Sequence, residues 1–216
     1  MAITISGTTG VAGVDGSASA PATAGTDSNS GIYYGADVIK FSTGGTERIA
    51  VSNTSYPRIL QVVQTVNQAA HASGTNAIAQ GAWFTPSITV AITPSSSSSK
   101  ILFTGHVAAS SGNSPKGLNL RVEKGGSALT GANAASVSSR TAAHSTGGTH
   151  NDDYAVTLAI NYLDSPSTTS AVTYGFSIGH NNSSAQTLYI NRTGSDTDNS
   201  SRGRYVTVLT AMEVAA

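Results

Sequence analysis

The chain has 216 residues, with 11 basic and 11 acidic side chains and hence no formal net charge. No basic patch is available for nucleic acid, so no nucleic-acid partner is expected. The chain contains no cysteine, which excludes disulfides and thiolate metal sites; no apolar run approaches the ~18 residues of a membrane span; and the N-terminus lacks a secretory leader's basic and apolar regions. These features predict synthesis in a cytoplasm. Hydrophobic residues make up 38% and charged residues 10%. A lone protomer of this composition buries modest area per residue, so burial between copies is the expected remedy.

Residues 1–26 are low in complexity and predict an extended arm. Gly7, Gly10, Gly13 and Gly16 recur at a period of three. That is collagen-like spacing, but the few triplets lack proline and fit chance in a glycine-rich arm better. Ile3 and Ile5 alternate with Thr4 and Ser6, a pattern suited to adding a strand to another protein. With Val11 and Val14 they are the candidate attachment residues.

Residues 27–56 carry three short apolar pieces: Ile32-Tyr33-Tyr34, Val38-Ile39 with Phe41, and Ile49 with Val51. Turn-like Gly35-Ala36-Asp37 and Thr43-Gly44-Gly45-Thr46 separate them. Such short strands do not stand alone, and three wrapped chains would share one core. The sequence Thr26-Asp27, Gly31-Ile32-Tyr33, Gly35-Ala36-Asp37 and Phe41 through Ile49 resembles a module of bacteriophage tail-fibre and virion-appendage proteins. The resemblance implies an interchain collar in a homotrimer, with Tyr33, Ile39 and Phe41 at the trimer interface.

From residue 57 the pattern is β. Strand candidates are Arg58–Thr65, Ala82–Ile92, Ile101–Val107, Leu118–Val122, Tyr154–Tyr162, Val172–Ile178, Thr187–Arg192 and Tyr205–Val214. The first could continue as a helix through Ala72, but its Val, Ile and Thr favour a strand. Eight strands at this spacing, without a βαβ rhythm, predict an all-β antiparallel sandwich of jelly-roll type. Gly125–Asp153 is the longest loop, of the kind that is functional or packed on neighbours. Trp83, the only tryptophan, fits core or trimer interface, with a sugar-stacking platform as the alternative. ITPSSSSSKILF (92–103), NYLDSP (161–166), LYINRTGSDTDNSSRGR (188–204) and TAMEVAA (210–216) are similar to C-terminal β domains of phage fibre proteins, marine ones especially. This resemblance implies a trimeric β-sandwich head over 57–216.

Catalytic motifs of the GxxxxGK[ST], HExxH and GxSxG types are missing. The 11 acids are thinly spread for paired-carboxylate glycan cleavage, so no enzyme is expected. His144, His150, Asp152 and Asp153 form a weak metal candidate. Asp196-Thr-Asp198-Asn199 lacks the Gly and Glu of a calcium loop. Neither metal nor cofactor is expected. Arg192, Arg202 and Arg204 flank the acidic loop 194–199 and fit a salt-bridged hairpin, with anionic-glycan recognition as the alternative. The polar head loops 110–116, 139–153, 180–185 and 194–203 are the candidate receptor surface, represented by Asn113, Asn181, Asn182, Asp196 and Asp198. The expected role is therefore a trimeric fibre or appendage in a virion. It would join other virion proteins through its arm and meet a host glycan or protein through its head. A capsid decoration protein is the alternative, and a glycan-degrading spike a third.

Overall fold

In a computed structural model of the chain, residues 4–6, 10–12, 15–52, 58–74, 77–112, 116–149 and 152–215 are described. The chain divides into two compact units, Met1–Pro57 and Arg58–Ala216. All regular structure in the described residues is β.

The first unit is a series of short hairpins. β1 (Thr4–Ser6) pairs with β2 (Gly10–Ala12), and β3 (Gly16–Ser17) with β4 (Ala20–Pro21). β5 (Thr23–Ala24), β6 (Gly31–Gly35), β7 (Val38–Thr43) and β8 (Thr46–Ser52) form an antiparallel meander. The N-terminal segment is thus folded back on itself, not extended in one run. Its glycines bend the chain: Gly16, at φ 75°, closes on the backbone of Ala20–Ala22. Gly44 and Gly45 have φ of 59° and 74°, the left-handed pair that a tight β7–β8 hairpin requires.

The second unit contains β9 (Ile59–Asn67), β10 (His71–Ala72), β11 (Thr89–Ile92), β12 (Lys100–Ser111), β13 (Lys116–Lys124) and β14 (Ser127–Ala128). β15 (Ser145–Thr149), β16 (Val156–Asp164), β17 (Val172–His180), β18 (Leu188–Ile190) and β19 (Thr207–Val214) follow. One sheet runs β9-β19-β12-β16 and the other β11-β17-β13-β15. Numbered along the chain, these eight strands read 1-8-3-6 and 2-7-4-5, the connectivity of a jelly roll. The second unit is therefore an all-β jelly-roll sandwich. β10 and β18 extend the first sheet beside β12, and β14 extends the second beside β13.

Two of the expected strands change role. Thr187–Arg192 was expected among the eight but becomes short β18, outside the two four-stranded sheets. Its place is taken by β15, sequence STGGT, from within the expected long loop. Only Thr89–Ile92 of the expected 82–92 strand is regular, although Phe84 bridges Ile178 upstream of it. The helical option ending at Ala72 is replaced by β9.

Alternate residues of each strand supply the core between the sheets. Ile101, Phe103, Leu118, Leu120, Leu158, Ile160, Tyr174, Phe176, Ile178 and Leu209 are all fully or nearly fully buried. Phe103 and Tyr174 stack with ring centroids 5.3 Å apart. Three polar clasps complete this interior. The Tyr174 hydroxyl donates to Asp164 Oδ2 at 2.7 Å, and Lys124 Nζ reaches the same oxygen at 2.8 Å. Burial and that hydrogen bond push the Tyr174 phenol upward. Asn191, fully buried at φ 62°, donates to the carbonyls of Asn67 and Ala69 and accepts from Thr207 Oγ1.

Glu213 is the third clasp. It lies in phase with the inward-facing Leu209 and Ala211 and is wholly buried. Ser95 donates to Oε1 from its amide and hydroxyl at 2.7 and 2.6 Å, and Gln61 Nε2 donates to Oε2 at 2.6 Å. Desolvation alone would raise its pKa; the hydrogen bonds from Ser95, Gln61 and Ser99 outweigh it and hold the carboxyl down at about 2, against an ordinary 4.5. A depressed carboxylate contributes stability that is complete above the unfolded-state value and is lost as pH falls through the folded one. Urea midpoints measured from pH 6 to pH 2 should therefore decline from about pH 4.5 downward. The Glu213→Gln variant should be less stable at pH 6 and show a shallower decline.

Candidate functional site

Three surfaces of the molecule combine exposure with chemistry. The first is the β6-β7-β8 sheet. Its register aligns Ile32 with Phe41 and Ile49, and Tyr34 with Ile39 and Val51. These six side chains share one face. Tyr34, Ile39, Phe41, Ile49 and Val51 are each between 38% and 54% exposed, a continuous apolar patch on a small unit. The opposite face is closed by polar contacts. Tyr33 is buried there, its hydroxyl donates to Glu47 Oε2 at 2.6 Å, and Lys40 pairs with Glu47 at 3.0 Å. The hydrogen bond to Glu47 pushes the Tyr33 phenol up to about 12. Ile39 and Phe41 thus stand on a free apolar face. Tyr33 does not join them as expected: in a β-strand it points opposite to both Ile32 and Tyr34 and packs within its own unit.

The second surface is the loop cluster at one end of the jelly roll. Gly117 N donates to Asn181 Oδ1 at 3.0 Å, and Ser195 N donates to Asp152 O at 3.1 Å. Asp196 accepts Arg192 at 2.6 Å and Arg204 at 2.5 Å, and Arg192 lies 4.1 Å over the Tyr189 ring. Arg202 pairs with Asp153. Arg192 and Arg204 form the expected salt-bridged hairpin on Asp196, while Arg202 pairs outside it. Asp196 is consequently occupied by two guanidiniums rather than held free for a receptor.

Asn182 also departs from its expected role. It is 7% exposed; its backbone N–H donates to His180 Nδ1 at 3.1 Å, and its Oδ1 accepts from Ser184 N at 3.2 Å. Because His180 Nδ1 accepts a backbone N–H, Nε2 carries the ring proton and donates to Ile78 O at 2.7 Å. This is a turn-building network. Asn181 and Asp198 are exposed. Ile3, Val14 and Asn113 lie outside the described residues, as does His150. Ile5 and Val11 are register partners in the β1–β2 hairpin. His144 uses both nitrogens on the backbone, at Ala132 O (2.6 Å) and Asn161 N (3.1 Å). No group of three or more His, Cys, Asp or Glu side chains able to hold a metal occurs among the described residues.

The third surface joins Trp83 to the expected long loop, a combination the sequence does not show. A groove of about 660 Å³ opens on the outer face of the β17–β13 sheet. Arg121 forms its floor, Gly81 and Trp83 one wall, and residues 128–142 the other. The long loop is fixed there by Asn133, whose amide imitates a neighbouring strand. Its Oδ1 accepts from Val122 N at 2.9 Å, and its Nδ2 donates to Val122 O and Leu129 O at 3.0 Å. Trp83 lies flat because β17 has no side chain beneath it: a Cβ on Gly179 would stand 3.2 Å from the indole. Arg121 stacks on that ring with its guanidinium carbon 4.6 Å from the centroid. It also pairs at 2.7 Å with Glu123, which is nearly fully buried. Trp83, expected in the core or at a trimer interface with a sugar-stacking platform as the alternative, lies outside the core and is half-buried at this groove in the single chain. The sequence signal was its phase: Phe84, which bridges Ile178 and packs on the core, forces its neighbour to the outer face.

No family model matches the sequence. No curated protein matches it. Among solved structures, one of infectious bursal disease virus, Gx strain, is similar, with 12% identity and a TM-score of 0.36. The match covers 89% of this chain and 55% of that one, so the chain spans about half the length of the chain it resembles. A likeness this loose assigns no role, and the jelly roll stands on its own strand order.

The loop-cluster geometry separates two substitutions. Asn182→Ala strips a buried turn of its acceptor and should cost about 1–3 kcal/mol. Asp198→Ala, at an exposed position, should stay within about 0.5 kcal/mol of the parent. Urea midpoints of the two variants check both values.

Proposed function

We propose that the protein is a structural component of a virion: a homotrimeric appendage whose N-terminal segment attaches to the particle and whose jelly-roll head meets the host surface. The observation that carries this reading is the apolar face of the β6-β7-β8 sheet. A chain with 10% charged residues leaves Ile39, Phe41, Ile49 and Val51 open to water on a unit whose only described buried apolar side chain is Tyr33. Burial against copies of the same face removes that cost, about 25 cal/mol for each Å² covered. The threefold count comes from the resemblance of residues 27–49 to fibre collars.

The head supplies a second such surface. On the outer face of its first sheet, Val62, Met212, Leu102 and Leu163 stand in one row across four strands. Val62 and Leu163 at the row's ends are 56% and 46% exposed. The loops at the head's end, braced by Asp196 and Asp153, give a rigid surface for contact.

Light scattering on the purified protein should return three chain masses at micromolar concentration. The double variant Ile39→Ser, Phe41→Ser should shift it towards one chain mass while the head keeps its own melting transition. A wild-type protein that is a stable monomer at micromolar concentration overturns the reading.

Attachment has its own test. Removing residues 1–20 should leave the oligomer intact and abolish incorporation into particles. Incorporation at the undeleted level would place the anchor elsewhere in the chain.

A further inference from the structure

The groove on the outer face of the β17–β13 sheet is distinct from both the collar face and the braced loop end. Its volume of about 660 Å³ lies within the range of about 300–1,000 Å³ typical of small-ligand sites. We infer that it binds a saccharide bearing a carboxylate, a hexuronic or nonulosonic acid. This rests on the proposal that the head contacts a host surface, and it names the ligand class and the place.

Three features of the groove converge on that ligand. The first is a planar stack: Trp83 rests against Gly179 and the Arg121 guanidinium lies over its indole, so the flat surface of the groove is this guanidinium–indole stack rather than a bare ring. Pyranose rings present one apolar C–H face that fits such a surface, and flat aromatic platforms suit ligands that are apolar on one side and wet on the other. The second is the wall. Residues 134–142, from Ala134 to Ala142, carry short Ala, Ser and Thr side chains apart from Val137 and Arg140. Small hydroxyl-bearing groups leave the groove open and offer both donors and acceptors to sugar hydroxyls.

The third is charge. The Arg121 charge is answered by Glu123. Arg140, exposed in the same wall, has no ion pair among the described residues. The lining therefore carries one uncompensated positive charge. The unpaired Arg140 guanidinium, in the wall of the groove that the stack floors, selects a planar carboxylate, which it binds through two parallel hydrogen bonds. A neutral hexose leaves Arg140 unused.

The test uses the whole protein. It is applied to an array of saccharides that pairs hexuronic and nonulosonic acids with their neutral counterparts. Trp83 is the single tryptophan of the chain, so its fluorescence reports directly on the groove in titrations with the acids that bind. Acidic members should bind and shift that fluorescence, and neutral counterparts should bind at least severalfold more weakly. Arg140→Ala should weaken the acidic ligands about tenfold and leave the neutral ones and the melting temperature unchanged. The proposal is overturned if no acidic saccharide binds. Equal binding of acidic and neutral members also overturns it, as does binding that leaves Trp83 fluorescence unmoved or an Arg140→Ala variant of undiminished affinity. The chain mass in solution is independent of all these outcomes, so the groove and the oligomer stand or fall separately.

Discussion

A β-sandwich has to dispose of its open edges, and here polar side chains close them. On one side Ser145 Oγ donates to Ala159 O, while Asn161 N donates to His144 Nε2. β16 would otherwise present both backbone groups unpaired. On the other side Thr65 Oγ1 donates to Thr89 O at 2.9 Å, and Gln61 Nε2 to Thr93 O at 2.6 Å. The two sheets are thereby joined at both margins by hydrogen bonds in place of strand pairing. Edge strands are templates for unwanted pairing; side chains that occupy their backbone groups remove the template. The jelly-roll order makes this possible, because it sets β15 beside β16 and β11 beside β9.

The same economy governs the charged residues, few as they are. Glu213, Asp164 and Glu123 are almost wholly buried, and each is met by named donors: Ser95 with Gln61, Tyr174 with Lys124, and Arg121. Burying an ion is costly unless its lone pairs are filled. These carboxylates act as fastening points for loops. Glu213 binds the serine run that follows β11, Asp164 ties the end of β16 to β13 and β17, and Glu123 fixes the groove floor. Gln61 holds Glu213 and the Thr93 carbonyl with one amide nitrogen, so edge closure and loop fastening meet at a single side chain.

Much of this was legible in the sequence, and the exceptions have physical causes. Strands such as β16 and β17 announce themselves by apolar alternation. β15 does not: STGGT has no apolar residue to alternate, and its place depends on pairing with Lys116–Leu120 far along the chain. β18 looked like a principal strand because Leu188 and Ile190 alternate, yet Asn191 at φ 62° ends it after three residues. Glu213 did carry a readable sign. It continues the inward phase of Leu209 and Ala211, as Asp164 continues that of Leu158, Ile160 and Tyr162. A charged residue in phase with a core is either an error of register or a buried clasp, and only the distant donors distinguish the two. Asn182 and Asp196 look like free polar groups in the sequence because composition is visible there and partners are not. The groove was the least legible feature, since Trp83, Arg121 and Arg140 come from three separate stretches.

These partners also bear on where a recognition surface can lie. The loop end is held by Asp196 between two arginines, by Arg202 on Asp153, and by the His180–Asn182–Ser184 turn. Most of its ionic capacity is consumed internally, which makes it stiff and leaves little charge for a ligand. On the sheet face the balance is reversed. The long loop is anchored at its base by Asn133, by the buried Leu129 and Ala132, and by His144 on Ala132 O, while no side chain from Ala134 to Ala142 makes an ion pair among the described residues. A loop fastened at its base can vary along its crest without releasing an ion pair, whereas a substitution at Asp196 releases two guanidiniums at once. Selection for new binding chemistry therefore meets less structural resistance in the groove wall than in the braced loops.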